Sequence, residues 1–378
     1  MKNPFRLNEN KLEGVSHGYS LAASGSMRLL NSVAQWPEKL FMWPFYGFRK
    51  IDRPIFVVGP FRSGTTILEK IIGDHPDVGH FTYMSNVYYK APITGYLLMN
   101  LLWRIGFLDK QVLSAVHNPR VEYTMFSPYE CEWIWSQTRK GLWAKDVTDI
   151  SIGADYSDPG FEKYLRSMIK RHLLFQRSRR YLSKNPVSCL RLDYLHKLFP
   201  DAKVVTIVRN PLHTVLSHFR MSSHMEEVFY QNPETKWILQ EGLHMDLLSM
   251  RIKTPTYGHT MELNEEHALL SLANQWKDLE TAVLDSVQNN KDLAENTLQL
   301  TYEDFVNDSR RVLDSLWDFT GLAGAEADQL TDKYKDILTP PEPLELTSEE
   351  QILMPSVLDI MRPAAERAGY RLDQAILT

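Results

Sequence analysis

The chain has 378 residues, of which 43% are hydrophobic and 24% charged, and its formal net charge is −5. That balance suits a folded protein with a large core and excludes a disordered chain; it gives no reason to expect nucleic acid as a partner, because nucleic-acid binders advertise a basic surface. Two cysteines, Cys131 and Cys189, are too few for a disulfide framework and lack the spaced companions of a zinc site, so no metal is expected and the thiols fit a reducing compartment.

The N-terminus, MKNPFRLNENKLEG, lacks the apolar core of a secretory signal, and the apolar stretch 93–108 is interrupted by Asn100 and Arg104 and falls short of a membrane span. A cytoplasmic protein without a transmembrane span is expected. Residues 1–53 read as an N-terminal arm in which Trp36, Phe41, Trp43, Phe45 and Tyr46 stand among basic residues. The arm is expected to pack on the core, with contact to an apolar partner as the alternative.

Residues 55–58, IFVV, predict a short buried strand; a turn over 59–64 follows, and Ile67, Leu68, Ile71 and Ile72 then recur at helical spacing. A strand feeding a glycine turn and a helix leaves unpaired N–H groups at the helix start, which suit phosphate or sulfate. Gly59 and Gly64 hold the spacing of the GxxxxGK[ST] fingerprint, but Thr65 stands in the lysine's place and the cation sits at Arg62. A kinase keeps that lysine on the terminal phosphates, so the ligand's terminal group should differ.

Residues 81–160 show little strand alternation and many aromatics, and read as a helical insertion. Regular elements resume with a helix over 161–177, a strand over 181–183 closed by Lys184-Asn185-Pro186, and a helix with Leu190, Leu195, Leu198 and Phe199 on its apolar side. A β-branched strand over 203–208, a helix over 212–220, a long helix over 265–287, a strand over 297–301 and a helix over 305–319 follow. Pro340-Pro341-Glu342-Pro343 marks a loop, and 340–378 forms a C-terminal helical tail too short for its own core. Strands alternating with helices imply one α/β domain over 1–378, a P-loop-like, doubly wound parallel sheet flanked by helices. Ligands in such sheets sit beyond the carboxyl ends of the strands, where this chain places the glycine turn, Lys184, Arg209 and Tyr302-Glu303-Asp304.

Arg62-Ser63-Gly64-Thr65-Thr66 resembles the 5′-phosphosulfate loop of the sulfotransferases that use 3′-phosphoadenosine 5′-phosphosulfate (PAPS). The arginine makes it similar to the bacterial and tyrosylprotein or carbohydrate branches, and His75-Pro76-Asp77-Val78 extends the likeness. Residues 204–219 resemble the family's 3′-phosphate motif, with Arg209 at the strand end and Ser217 eight residues later. A planar guanidinium and a neutral hydroxyl are apt donors to phosphate. Lys184 resembles the lysine facing the transferring sulfuryl group, and Tyr302 opens a Tyr-Glu-Asp word found near the adenine.

The resemblance implies sulfuryl transfer from PAPS, without a metal, to a hydroxyl or amine of a small-molecule, glycan or lipid acceptor. It implies cofactor binding by Arg62, Ser63, Gly64, Thr65, Thr66, Arg209, Ser217 and Tyr302, with Arg62 and Lys184 stabilising charge at the reacting group. Two alternatives stay open: a P-loop nucleotide kinase, and a nucleotide-binding protein without catalysis.

The proton acceptor departs from the family's patterns. The tyrosylprotein branch has a Glu where this chain has Phe81-Thr82-Tyr83, and a histidine of many bacterial relatives is replaced by Ser188. Ser127-Pro128-Tyr129-Glu130-Cys131-Glu132 resembles a Pro-x-Glu word of bacterial members, which makes Glu130 the candidate base and Glu132 the second choice. His80 and His218 lie near the motifs and are not favoured. Tyr123, Phe126, Tyr129, Trp133, Trp135 and Trp143 either line an acceptor cleft or fill a core. The dimerisation word of the cytosolic branch is not found, and the oligomeric state stays open.

Overall fold

A computed structural model describes residues 25–82, 85, 88, 90–106, 113–114, 122–123, 126–131, 134–135, 138, 150–230, 265–337, 340 and 343–372. Helices α1 (Gly25–Phe41) and α2 (Trp43–Tyr46) precede strand β1 (Ile55–Val58), helix α3 (Thr65–Gly73) and strand β2 (Val78–His80). The next stretch carries α4 (Pro92–Arg104) and a small antiparallel ribbon of β3 (Leu113–Ser114) and β4 (Glu122–Tyr123). Then come α5 (Pro159–Phe175), β5 (Arg180–Lys184), a 3₁₀ turn (Pro186–Arg191), α6 (Leu192–Leu198), β6 (Lys203–Val208) and α7 (Pro211–Tyr230). The chain continues through α8 (Glu265–Asn289), α9 (Lys291–Glu295), β7 (Thr297–Thr301), α10 (Tyr302–Asn307), α11 (Ser309–Thr320), α12 (Ala325–Tyr334) and α13 (Ser348–Arg367).

The main sheet runs β2-β5-β1-β6-β7, every neighbouring pair parallel. β1 lies in the middle, with β2 and β5 to one side and β6 and β7 to the other, so the winding reverses there and opens a crevice beyond its carboxyl end. Alternation along each strand feeds two cores. Phe56, Val58 and Val204 point into one, with Leu165 and Ile169 of α5 and Leu279 of α8; Ile55, Val57 and Val205 point into the other, with Ile71 of α3 and Leu316 of α11. A third cluster joins α7, α8 and α13 through Leu216, Leu272 and Met361. Both cysteines are buried free thiols. No helix among the described residues is long and apolar enough to cross a membrane.

The parallel, doubly wound sheet is the expected one, and β1, β6 and β7 fall on the residues predicted. Other expectations need correction. β2 is an unanticipated strand: it pairs with β5, and on its outer side Gln176 bonds both the N–H (3.0 Å) and the carbonyl (2.6 Å) of His80, standing in for a further strand. The insertion is not wholly helical, since it contains the β3–β4 ribbon. The helix expected over 305–319 is two, because the Asp308 side chain accepts from Arg311 N–H at 3.1 Å and starts α11. Trp135 is a core residue, 5.3 Å from the Phe161 ring centroid. Phe126 and Tyr129 are half-buried, while the side chains of Tyr123, Trp133 and Trp143 lie outside the described residues.

The N-terminal arm departs furthest from expectation. Tyr46 is buried as predicted, but Trp36, Phe41, Trp43 and Phe45 are exposed. The polar side of α1 faces inward instead. Glu38 reaches Arg171 of α5 at 3.3 Å and the N–H of Thr94 at 3.0 Å, and these bonds orient the helix.

Candidate active site

The loop after β1 is shaped by close backbone approach. A Cβ on Gly59 would sit 2.3 Å from the carbonyl oxygen of Ile207 on β6, and one on Gly64, whose φ is 105°, would sit 3.0 Å from the Tyr302 ring. Arg62 between them adopts a left-handed φ of 68°, a strained state for a non-glycine residue that recurs at ligand sites. The buried Ser63 hydroxyl donates to Pro60 O at 2.7 Å and ties the loop together. Thr65 is buried and Thr66 half-buried in the first turn of α3. Ile67 and Leu68 N–H groups donate to Gly64 O, so the N–H groups before them are the helix-start donors without intrahelical acceptors.

Across the crevice, Asn210 and Pro211 start α7 in the manner their chemistry favours. The Asn210 side chain accepts from Leu212 N–H (3.1 Å) and His213 N–H (3.2 Å), and proline takes the first helical position. Two turns on, Ser217 Oγ accepts from Arg62 Nε at 3.2 Å. Arg209, at the end of β6, lays its guanidinium carbon 4.5 Å from the Tyr302 ring centroid. Its Nε is buried without a hydrogen-bond partner among the described residues. Burial, then the neighbouring Arg209 charge, lowers the Arg62 pKa to about 10, so the two arginines stand charged side by side.

A brace holds this corner. Glu303 accepts from Asn210 N–H at 2.9 Å and from the Tyr370 hydroxyl at 2.7 Å, joining the ends of β6 and β7 to the C-terminal segment.

A second cluster lies at the end of β5. Lys184 is buried, and its ammonium donates to the Glu130 carboxylate and lies 3.6 Å from a carboxylate oxygen of Glu69. Glu130 arrives on a strand-like segment that continues β2: Thr82 bridges Pro128, Tyr129 N–H donates to Phe81 O at 2.9 Å, and His80 Nε2 donates to Phe126 O at 3.1 Å. His80 is thus a buried structural group, and burial pushes its pKa down to about 4. His218 stacks near Phe61, 5.1 Å between ring centroids, and Glu132 lies outside the described residues.

Glu69 went unrecognised in the sequence. It is buried on α3, one turn after Thr65, and burial pushes its pKa up to about 7, with Lys184 pulling it down and Glu130 pushing it up. α3 therefore links both clusters, the anion loop at its start and the carboxylate pair one turn later.

The sequence profile of the Sulfotransferase family matches residues 54–248. The chain belongs to that family. Among curated sulfotransferases it is similar to omega-hydroxy-beta-dihydromenaquinone-9 sulfotransferase Stf3 of Mycobacterium tuberculosis, 26% identical over 177 residues. The alignment covers 42% of this chain and 42% of Stf3, less than half of either. Nodulation protein NoeE of Sinorhizobium fredii is 27% identical over 156 residues, or 41% of this chain and 28% of NoeE. Sulfotransferase STF9 of Mycobacterium avium shares the fold, with a TM-score of 0.54 at 16% identity over 90% of this chain and 82% of the other. Sulfotransferase STF1 of Mycobacterium tuberculosis does so with a TM-score of 0.50 at 17% identity, over 96% and 88% of the two chains.

Proposed function

We propose that the protein transfers a sulfuryl group from PAPS to an acceptor hydroxyl. The observation that carries this reading is the Arg62–Arg209–Ser217 corner: two desolvated cations, a hydroxyl, and a buried guanidinium N–H left without a partner among the described residues. An orphaned buried donor beside a second cation fits a phosphate, which supplies the missing acceptor and charge together. Arg209 and Ser217 would hold the 3′-phosphate, Tyr302 and Gly64 would lie along the nucleoside, and the α3 N-terminus with Thr65 and Thr66 would take the 5′-phosphosulfate. Bound there, the donor supplies an activated sulfuryl group whose leaving group is adenosine 3′,5′-bisphosphate.

The chain's own part in the reaction follows from charge. With both carboxylates ionised, the Lys184–Glu69–Glu130 cluster carries one negative charge more than positive, and uptake of one proton neutralises it. Glu130, the less buried carboxylate, takes the proton of the acceptor hydroxyl. Lys184 holds Glu130 in place and offers positive charge at the crevice. Glu69 is a positioning residue that acts through Lys184. Stf3 carries in its name a hydroxylated menaquinone, and a hydroxyl-bearing lipid, glycan or small molecule is the acceptor class we assign. The buried free thiols suit the cytoplasm. The kinase alternative finds no support in the family match.

The test is thermal denaturation with nucleotides, followed by incubation with labelled PAPS and a panel of lipids, glycans and phenols. Adenosine 3′,5′-bisphosphate should raise the melting temperature more than ADP or ATP with magnesium, and one acceptor class should gain label. A stronger effect of ATP would overturn the reading.

A further inference from the structure

Helix α1 is built inside out. Asn31, Ala34 and Glu38 share one side of it and are buried, with Asn31 accepting from Lys90 N–H at 3.2 Å and Glu38 engaging Thr94 and Arg171. The other side presents Leu29, Val33, Trp36 and Leu40, each 60 to 71% exposed. An ordinary surface helix does the reverse.

The exposed apolar surface continues beyond α1. Trp43 and Phe45 of α2 are more than half exposed, and Leu97, Leu101 and Ile105, at a spacing of four on and just after α4, are 56 to 65% exposed. The Glu38–Thr94 bonds, made from the buried side of α1, hold that helix against the start of α4, so two neighbouring helices each carry an exposed apolar stripe. Single exposed apolar residues are ordinary, but this many on neighbouring helices mark a place of contact.

Charge selects the partner. Residues 25–51 and α4 contain Arg28, Lys39, Arg49, Lys50 and Arg104 against one acid, Glu38, and that acid is buried on Arg171. Asp52 at the margin is paired with Arg53 at 3.7 Å. A chain of net charge −5 thus carries, in these described segments, five cations and one buried acid beside an exposed apolar surface. Tryptophan and phenylalanine set among lysines and arginines are the composition of helices that lie in a bilayer interface, with cations on anionic headgroups and rings at the acyl boundary. We propose that the α1–α2–α4 face docks the protein on the surface of an anionic lipid bilayer. Tyr96 of α4 packs its ring 5.5 Å from that of Phe126, four residues before Glu130, so docking brings the bilayer towards the segment that carries that carboxylate. Delivery of a lipid-borne hydroxyl to Glu130 rests on the sulfotransferase reading; the docking itself does not.

The experiment is cosedimentation of the full chain with sucrose-loaded vesicles, made of equal parts phosphatidylcholine and phosphatidylglycerol or of phosphatidylcholine alone. Binding is expected to the mixed vesicles, less to the neutral ones, and to decline with added salt. The combined substitution Val33→Ser, Trp36→Ser, Leu40→Ser should weaken it by at least about tenfold. Ile352→Ser, at an equally exposed apolar position on α13, should leave it unchanged. Melting-temperature shifts with adenosine 3′,5′-bisphosphate should be the same in all three proteins, which separates lost docking from lost folding or a failed nucleotide reading. Absence of binding to either vesicle, or binding that survives the triple substitution, overturns the proposal. So does a lipid-free dimer that the triple substitution dissociates, since the face would then belong to a second copy.

Discussion

Helix α3 connects two clusters with opposite charge balance. At its N-terminal end Arg62 and Arg209 lie together with Ser217 and Tyr302, and no carboxylate is bonded to either arginine among the described residues. One turn into the helix, Lys184 faces two carboxylates. Two cations with no carboxylate bonded to them repel one another and have lost solvation, a cost that a ligand with fixed negative charge relieves on binding. A cation outnumbered by carboxylates has little attraction left for such a ligand; its surroundings suit the uptake of a proton instead. On the proposed reading the first cluster is a grip, and the second handles the proton.

The largest effect should come from the second cluster. Glu130→Gln keeps the shape of the side chain and removes the basic site, so kcat for sulfate incorporation should fall by roughly a hundredfold or more while the nucleotide-induced melting shift persists. If Glu69→Gln abolishes turnover and Glu130→Gln does not, the proton goes to Glu69. Lys184→Ala should lower kcat by about a hundredfold with a smaller change in nucleotide affinity. Equal losses in both would place Lys184 with the arginines and erase the contrast.

The grip is tested by Arg209→Ala, measured by titration calorimetry with adenosine 3′,5′-bisphosphate. Loss of a charged hydrogen bond costs about 1.5–3 kcal/mol, so affinity should drop by about tenfold or more. Unchanged affinity would mean that the orphaned guanidinium waits for something else.

The smallest effect is a trend in stability with pH. Glu69 is pushed from its ordinary 4.5 to about 7, so in that interval the native state holds a proton that the unfolded chain has released. Ionising it costs native stability as pH rises. Glutamine does not titrate, and the melting temperature of Glu69→Gln minus that of the unaltered protein should become more positive from about pH 5 to about pH 8, by a few degrees. The opposite trend would show Lys184 holding Glu69 ionised.

Strands β1 and β6 were legible because a parallel strand covered on both faces reads as a continuous run of β-branched and apolar residues, whereas β7, the edge strand Thr-Leu-Gln-Leu-Thr, shows a leucine alternation with polar residues. β2 was not, since Val-Gly-His has no period of its own and becomes a strand by pairing with residues 180–182. The Arg62–Arg209–Ser217 corner could be read because Arg62 and Arg209 follow strand ends, where topology makes them converge, and Ser217 because it stands eight residues after Arg209, as in the motif that the segment resembles. Glu69 escaped notice because Ile67, Leu68, Ile71 and Ile72 define an apolar stripe that leaves it on the apparent solvent side; Lys184, from 115 positions away, occupies that side. In the N-terminal arm only the aromatics stood out, and the direction in which α1 turns its apolar side is decided by Arg171 and Thr94, which no local pattern contains.

The Glu303 carboxylate receives Asn210 N–H and the Tyr370 hydroxyl, groups separated by 93 and 67 positions from it. During synthesis the loop of Arg62 and the strand of Arg209 leave the ribosome long before residue 370. The brace under the arginine corner is therefore delivered after both, and a chain released before residue 370 leaves Glu303 without its phenolic partner.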